Sequence, residues 1–272
     1  MSLFITSINS GSNGNCYYVG NRREAVLVDV GISCREIEKR MARLGLSIDI
    51  VKAIFITHEH GDHIRGMRVL SKKYQLPVYI TQATLSNSGI KLQEEFIRSF
   101  TANESITIGE LMITPFLKEH DAADPHSFLI EQDGIKVGVF TDLGIACEQL
   151  IHHFKQCHAA FLEANYDEDM LENGSYPFYL KNRIRSGKGH LSNKQAVELF
   201  NVHRHKSLSH LILSHLSKNN NTPEIVHQLF TKHAGNTNVV VASRYEETQV
   251  YSITQNGSQV LSKVEQMELF GE

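Results

Sequence analysis

Four side chains able to bind a metal ion, His58, His60, Asp62 and His63, fall within six consecutive positions of the stretch THEHGDH, directly after the apolar residues Ile54, Phe55 and Ile56. If Ala53–Thr57 is a strand, this stretch is the loop leaving its carboxyl end, where α/β proteins gather their chemistry. His58 and His60 stand two apart, so in extended backbone they project the same way and can share one cation. Gly61 lets the chain turn, and Asp62 and His63 then open a helix and meet the same cavity from the other side, which suits a second cation. Imidazoles with a carboxylate favour Zn²⁺, Fe or Mn²⁺ over Ca²⁺. The competing reading is a histidine-rich surface loop, but with 15 histidines in 272 residues this spacing seldom arises by chance.

Such ligands need a frame. Short β-type runs alternate with helical patterns along the whole chain, with no low-complexity linker, which is α/β organisation. Strands are expected at Leu3–Ile8, Cys16–Val19, Ala25–Val30, Ala53–Thr57, Val78–Thr81 and Leu111–Leu117. Further strands are expected at Ser127–Gln132, Lys136–Thr141, Ala159–Glu163, His210–Ser214, Asn238–Ala242 and Gln249–Ile253. Ser33 to Glu36 reads as a capping box, followed by Ile37, Met41 and Leu44 at helical spacing. Ser192 to Gln195 is a second box, and Thr222 puts a capping hydroxyl before Pro223 at a first helical position. One domain is expected over residues 1–272, with 264–272 as a tail.

A second constellation lies downstream. His190 stands two residues before the Ser192 cap, near a helix amino terminus whose free N–H groups favour an anion. Just upstream, Lys181, Arg183, Arg185 and Lys188 form the densest basic stretch in the chain, and phosphate is the guest it suits. A solvated cationic loop is the alternative. Glu163 and Asp167 follow an expected strand and offer carboxylates behind the ligands or for proton transfer, although Asp167 equally suits a helix cap. The loop Ser10–Asn15, SGSNGN, lacks the lysine and helix of a phosphate-binding P-loop and reads as a tight hairpin lining the cleft.

At 41% hydrophobic content, 272 residues can bury a sizeable core. A formal charge of −3 and a pI near 6.6 leave any nucleic-acid contact to a local patch. The first residues, MSLFITSINS, turn polar by Thr6 without a basic lead, unlike a signal peptide. No run approaches the roughly 18 apolar residues of a membrane span. Cys16, Cys34, Cys147 and Cys157 are scattered without a CxxC pair, which suits packing thiols in a cytoplasmic protein.

The segments SINSGSNGNCYYVG, VLVDVGIS, THEHGDHIRGM, KEHDAADPHSF, FTDLG, LEANYD, GKGHLSN and LILSHLS together resemble the metallo-β-lactamase fold superfamily, whose signature is HxHxDH. GKGHLSN and LEANYD point within it to the bacterial YycJ (WalJ) branch. The resemblance implies an αββα four-layer sandwich, two sheets face to face with helices outside, and two divalent cations at one edge. It implies that His58, His60 and His120 hold the first cation, that Asp62, His63 and His215 hold the second, and that Asp142 bridges them. His120, Asp142 and His215 each follow an expected strand, as His58 does. Asp142 could otherwise cap the next helix. Asp29 resembles the fold's first carboxylate, which orients a ligand histidine, or simply turns the chain before Gly31. His190 matches a histidine near the scissile phosphate in related transfer-RNA 3′-processing enzymes.

Chemically, a cation pair beside Asp62 and Asp142 suits phosphodiester hydrolysis, with one of these carboxylates holding the attacking hydroxide and His190 acting at the phosphate. The resemblance implies a 5′ to 3′ DNA exonuclease linked to repair or replication. Hydrolysis of a thioester, lactone, β-lactam or cyclic phosphodiester on the same metals is an alternative, and so is a non-enzymatic metal-dependent regulator. Gln266, Leu269 and Phe270, in QMELF, resemble the peptide by which bacterial repair proteins dock on the replication sliding clamp; folding back onto the domain is the alternative there.

Overall fold

Most strands of this chain are buried on both faces, so a side-chain period of two sorts their residues between two different cores. The computed structural model describes residues 2–255 and 257–260, and Gln266, Leu269 and Phe270 lie outside them. Strands β1 (Leu3–Asn9), β2 (Cys16–Gly20), β3 (Ala25–Val28), β4 (Val51–Phe55), β5 (Val78–Tyr79) and β6 (Ile97–Arg98) make most of one sheet. The other contains β7 (Ile106–Ile108), β8 (Leu111–Leu117), β9 (His126–Gln132), β10 (Ile135–Phe140), β11 (Ala159–Glu163), β12 (His210–Ser214) and β13 (Asn238–Val241). With β14 (Tyr251–Thr254) and β15 (Gly257–Val260) the chain returns to the first sheet, whose order is β15-β14-β1-β2-β3-β4-β5-β6; the second runs β13-β12-β11-β10-β9-β8-β7.

Leu3, Ile5, Tyr17, Val28 and Phe55 of the first sheet pack on Ile113, Phe128, Val139, Phe161 and Ile212 of the second. The opposite faces bury Tyr18, Leu27 and Ile54 under Ile37, Met41 and Leu70 of the helices Cys34–Arg43 and Met67–Tyr74. Phe140, Leu162 and Leu213 lie under Phe154, Phe200 and Phe230 of the helices Glu148–Phe154, Asn193–His203 and Pro223–Thr231. Helices outside two facing sheets make the αββα sandwich, held by side chains each contributing about 1.5–3 kcal/mol on burial.

Strand direction decides where chemistry can sit. β3 to β6 are parallel, β10 to β13 are parallel, and β8 runs with β10 because β9 is antiparallel to both. The carboxyl ends of β3 and β4 therefore share an edge of one sheet, and those of β8, β10, β11 and β12 an edge of the other. A hydrogen bond of 2.9 Å from the His126 N–H to the Thr57 carbonyl ties the two edges together.

Several expected boundaries shift for local reasons. The run expected over Ala25–Val30 ends at Val28, and that over Lys136–Thr141 ends at Phe140. In each case an aspartate follows closely in left-handed backbone, Asp29 at φ 61° and Asp142 at φ 55°. β6, β7 and β15, two to four residues each, were not expected, being too short for a period to register. The Ser192 capping box is complete and Thr222 caps ahead of Pro223. At Ser33 only half the box forms, because the Glu36 carboxylate accepts from Arg40 Nε at 3.1 Å. Among the described residues no helix is long and apolar enough to cross a membrane.

Gly31, between β3 and the helix Cys34–Arg43, packs against the site loop where no side chain fits, since a Cβ there would stand 1.7 Å from the Asp62 carbonyl oxygen. Gly31→Ala is expected to cost about 2–3 kcal/mol of unfolding free energy. Gly61→Ala, with nothing within 4 Å of its Cβ, should stay within about 0.5 kcal/mol of the parent, both variants being compared with it by urea titration.

Candidate metal centre

At the shared edge, the loop after β4 delivers His58 and His60, and the short helix Gly61–Ile64 delivers Asp62 and His63. Leaving β8 the chain presents His120, leaving β10 Asp142 and leaving β12 His215, while β11 ends on Glu163. Three of these exits bend the same way: Asp29, Asp142 and His215 have φ of 61°, 55° and 56°. Left-handed backbone costs a non-glycine residue about 1–2 kcal/mol, and aspartate eases it by local hydrogen bonding. Strain of this kind concentrates at functional sites when the surroundings enforce it. Asp142 does not cap the next helix, whose N-cap is Cys147.

Donor atoms converge in four overlapping groups, each close enough to hold one cation: two are the expected sets, His58, His60 and His120, and Asp62, His63 and His215; the others are His58, His63 and Asp142, and Asp142, Glu163, His190 and His215. His58 Nε2 lies 3.0 Å and His120 Nε2 3.4 Å from His60 Nδ1. Asp62 Oδ2 lies 3.4 Å from His215 Nε2 and 3.5 Å from His63 Nε2. Nitrogens bound tetrahedrally to zinc at about 2.0–2.1 Å stand about 3.3 Å apart, so these separations fit a cation among the donors. Asp142 sits between the sets. Its Oδ1 is 3.7 Å from His120 Nε2 and 3.6 Å from His215 Nε2, and its Oδ2 is 3.1 Å from His63 Nε2. That buried Oδ2 makes no hydrogen bond, which suits an oxygen facing a cation.

Outside the cage, most of these rings are fixed by their other nitrogen. His63 Nδ1 donates to Asp29 Oδ2 at 2.7 Å and His120 Nδ1 to the Gly189 carbonyl at 3.0 Å. His215 Nδ1 donates to Glu163 Oε1 at 3.0 Å. Thr57 gives its hydroxyl proton to Asp29 and accepts from His58 Nδ1 at 2.9 Å. Each bond fixes a tautomer and turns Nε2 inward. Asp29 therefore has both expected features, the left-handed turn and the carboxylate behind a site histidine.

Electrostatics follow from crowding. Burial would depress His215, but the Asp142 carboxylate and hydrogen bonds to Asp62 and Glu163 push it up to about 10. Burial lowers His120 to about 4, with Asp142 opposing and Lys118 adding to the fall. Burial would also raise Glu163, yet His190 and His215 hold its carboxyl down at about 2. Without cations the cage thus retains protons on His215, and cation uptake there displaces them, so affinity falls as pH drops. Lys118, buried two residues before His120, donates to the Thr141 carbonyl at 2.7 Å, and burial lowers its ammonium from the usual lysine range while the Asp142 and Asp29 carboxylates oppose the fall.

His190 stands at the rim, partly exposed, with Nδ1 2.8 Å from Glu163 Oε1. It lines a cavity of about 190 Å³ with Ser12, Tyr176, Arg183 and His215. Of the basic stretch, Arg183 reaches this cavity and binds Asp121 Oδ2 at 2.5 Å through Nε. Lys181 and Arg185 are instead tied to Glu172 and, with Lys188, stand outside the cavity. Asp167 is not at the cage: its carboxylate caps the helix Glu168–Asn173, accepting from the Met170 N–H at 3.0 Å. Local hydrogen bonding of aspartate to a helix start took precedence over a place behind the ligands. Asn15, which spacing did not single out, donates to Asp62 Oδ2 at 3.3 Å and lies 3.1 Å from His63 Nε2. Its only signal was its place in the SGSNGN hairpin, which joins β1 to β2 against the cage.

A family model described as Beta-lactamase superfamily domain matches residues 24–216, a span holding every donor from Asp29 to His215. The chain is similar to exodeoxyribonuclease YycJ of Bacillus anthracis, 34% identical over 230 residues, covering 83% of this chain and 86% of that protein. It is similar also to exodeoxyribonuclease WalJ of Streptococcus pneumoniae, 33% identical over 223 residues, covering 80% and 83%. In three dimensions it resembles the metallo-beta-lactamase fold protein YhfI of Bacillus subtilis, with a TM-score of 0.72 at 16% identity over 93% of this chain and 100% of that one.

Because Asp142 faces both donor sets, Asp142→Ala should reduce bound metal as well as activity. Elemental analysis of the purified variant checks this; undiminished metal content would remove Asp142 from the cage.

Proposed function

The chain belongs to the metallo-β-lactamase superfamily, in the branch of the YycJ and WalJ relatives, and we propose that it is a two-cation phosphodiesterase that degrades DNA from a 5′ end. The observation that carries this reading is His190, hinged on the buried Glu163 at the mouth of a carboxylate-rich donor cage. His58, His60 and His120 would hold one cation and Asp62, His63 and His215 the other, with Asp142 between; Zn²⁺, Mn²⁺ or Fe suits such donors. Divalent cations bound there supply Lewis-acid polarisation of a phosphoryl oxygen and deprotonation of water near neutral pH.

The chain's own residues do the rest. Asp62 is held by Asn15 and His215, so its carboxylate can orient the attacking oxygen toward phosphorus. Glu163 occupies His190 Nδ1, which leaves Nε2 to donate a proton to the leaving oxygen as the P–O bond breaks. Arg183, steadied by Asp121, offers positive charge beside that phosphate, and Lys181, Arg185 and Lys188 extend it along the strand. DNA as substrate, and a role in repair or replication, are supported by the names of the relatives. The described cysteines are free thiols, consistent with work in the cytoplasm.

Purified protein on end-labelled single- and double-stranded DNA and RNA, with each metal in turn, should shorten DNA from its 5′ end. Cleavage of a generic thioester or of nitrocefin with DNA left intact would overturn the reading. His190→Ala should keep its metal by elemental analysis yet lose about 10²-fold in turnover. Unchanged turnover, or loss of metal, contradicts the role given to His190.

The tail belongs to the same proposal. Gln266, Leu269 and Phe270 would dock on the sliding clamp, the two apolar side chains each contributing about 1.5–3 kcal/mol on burial. Calorimetry of the host's clamp with the full chain should give micromolar binding that Leu269→Ala/Phe270→Ala abolishes. Binding indifferent to that change removes the tail from the proposal.

A further inference from the structure

The helix Phe178–Arg185 buries none of its residues, yet it is held firmly beside the cage. Lys181 Nζ donates to the Glu172 carbonyl at 2.5 Å and Arg185 Nη1 to the Glu172 carboxylate at 3.1 Å. The His190 N–H donates to the Ile184 carbonyl at 2.8 Å, so the last turn of the helix is fastened to the rim histidine itself. Leu180 and Ile184, four apart, look into the cavity that His190 and His215 line. The first turn carries Phe178 and Tyr179 into solvent, 74% and 75% exposed. Single exposed apolar side chains are ordinary, but two adjacent aromatic rings exposed on a helix whose Leu180, Arg183 and Ile184 line the site cavity call for an occupant.

Resting on the nuclease reading of the neighbouring site, we propose that Phe178 and Tyr179 form a stacking platform for unpaired bases, so that the cage receives a single-stranded nucleic-acid end. Every base offers a π face, which makes such stacking tolerant of sequence, and Lys188, with Arg183 and Arg185 exchanging Asp121 and Glu172 for phosphate, supplies the charge that a phosphate backbone requires. Consecutive helical residues diverge by about 100°, so the two rings serve successive bases rather than clamp one. A second copy of the chain fits less well, because it would bring the same cations against themselves.

The sequence contains no tryptophan, so Phe178→Trp introduces a lone indole reporter. With metal-loaded protein, a phosphorothioate-linked oligothymidylate should quench that indole, and an abasic oligomer of equal length should not. Phe178→Ala/Tyr179→Ala should weaken oligothymidylate binding by about 10- to 100-fold in fluorescence anisotropy, leave the abasic oligomer unaffected and leave the unfolding transition unchanged. Equal binding of the two oligomers by the parent chain overturns the platform. So does a double variant that binds oligothymidylate like the parent, or one that changes only the oligomeric state in sedimentation. If DNA is shortened but the double variant binds normally, the platform alone fails; if no oligomer binds and no DNA is shortened, the nuclease reading fails with it.

Discussion

Buried carboxylates that face one another need positive charge between them, and at this sheet edge Asp29, Asp142 and Glu163 are buried with Asp62 beside them. In a medium poorer than water, the unrelieved repulsion and lost hydration amount to several kcal/mol per ion. Lys118 offsets part of that charge. Protonated imidazoles offset more in the absence of cations, which is why His215 is pushed up to about 10. Divalent cations would complete the neutralisation, since the donors of each group already stand within 4.8 Å of one another.

That frame is rigid where the donors attach. Parallel strands bring several carboxyl ends to one edge of each sheet, and the apolar layer between the sheets, with Phe55, Phe128 and Phe161, holds the two edges in register. Left-handed residues at the strand exits then turn side chains across the gap instead of along the strand. The strain at Asp29, Asp142 and His215 is sustained by that packing, and it aims the polar groups with little freedom to relax.

Glu163 links the two halves of the site. One oxygen accepts from both His190 and His215, and the other accepts from the Leu143 N–H at 2.6 Å. A single buried carboxylate thereby fixes a cage histidine and the rim histidine together, so His190 keeps a constant position relative to the donors. The helix Phe178–Arg185 is tied to the same rim by the hydrogen bond from the His190 N–H to the Ile184 carbonyl.

Much of this was legible in the sequence because it is local. Two-residue spacing of His58 and His60, the turn at Gly61, the capping box at Ser192 and the β-type runs before His120, Asp142 and His215 each depend on a few neighbouring residues. The short strands β6, β7 and β15 were not legible because their own period is too brief, even though β7 and β15 pair with the neighbouring β8 and β14 through tight hairpins. Nor was the company kept by each polar group. Asn15 meets His63, Thr57 bridges Asp29 to His58, and the buried Lys118 donates to the Thr141 carbonyl beside Asp142, while Asp167 turns away to cap a helix. Residue type and spacing determined which side chains could serve a metal centre; sheet pairing and the packing of the two sheets decided which of them share one volume, since contacts between residues far apart in the chain exist only once the apolar core has brought the strand ends together.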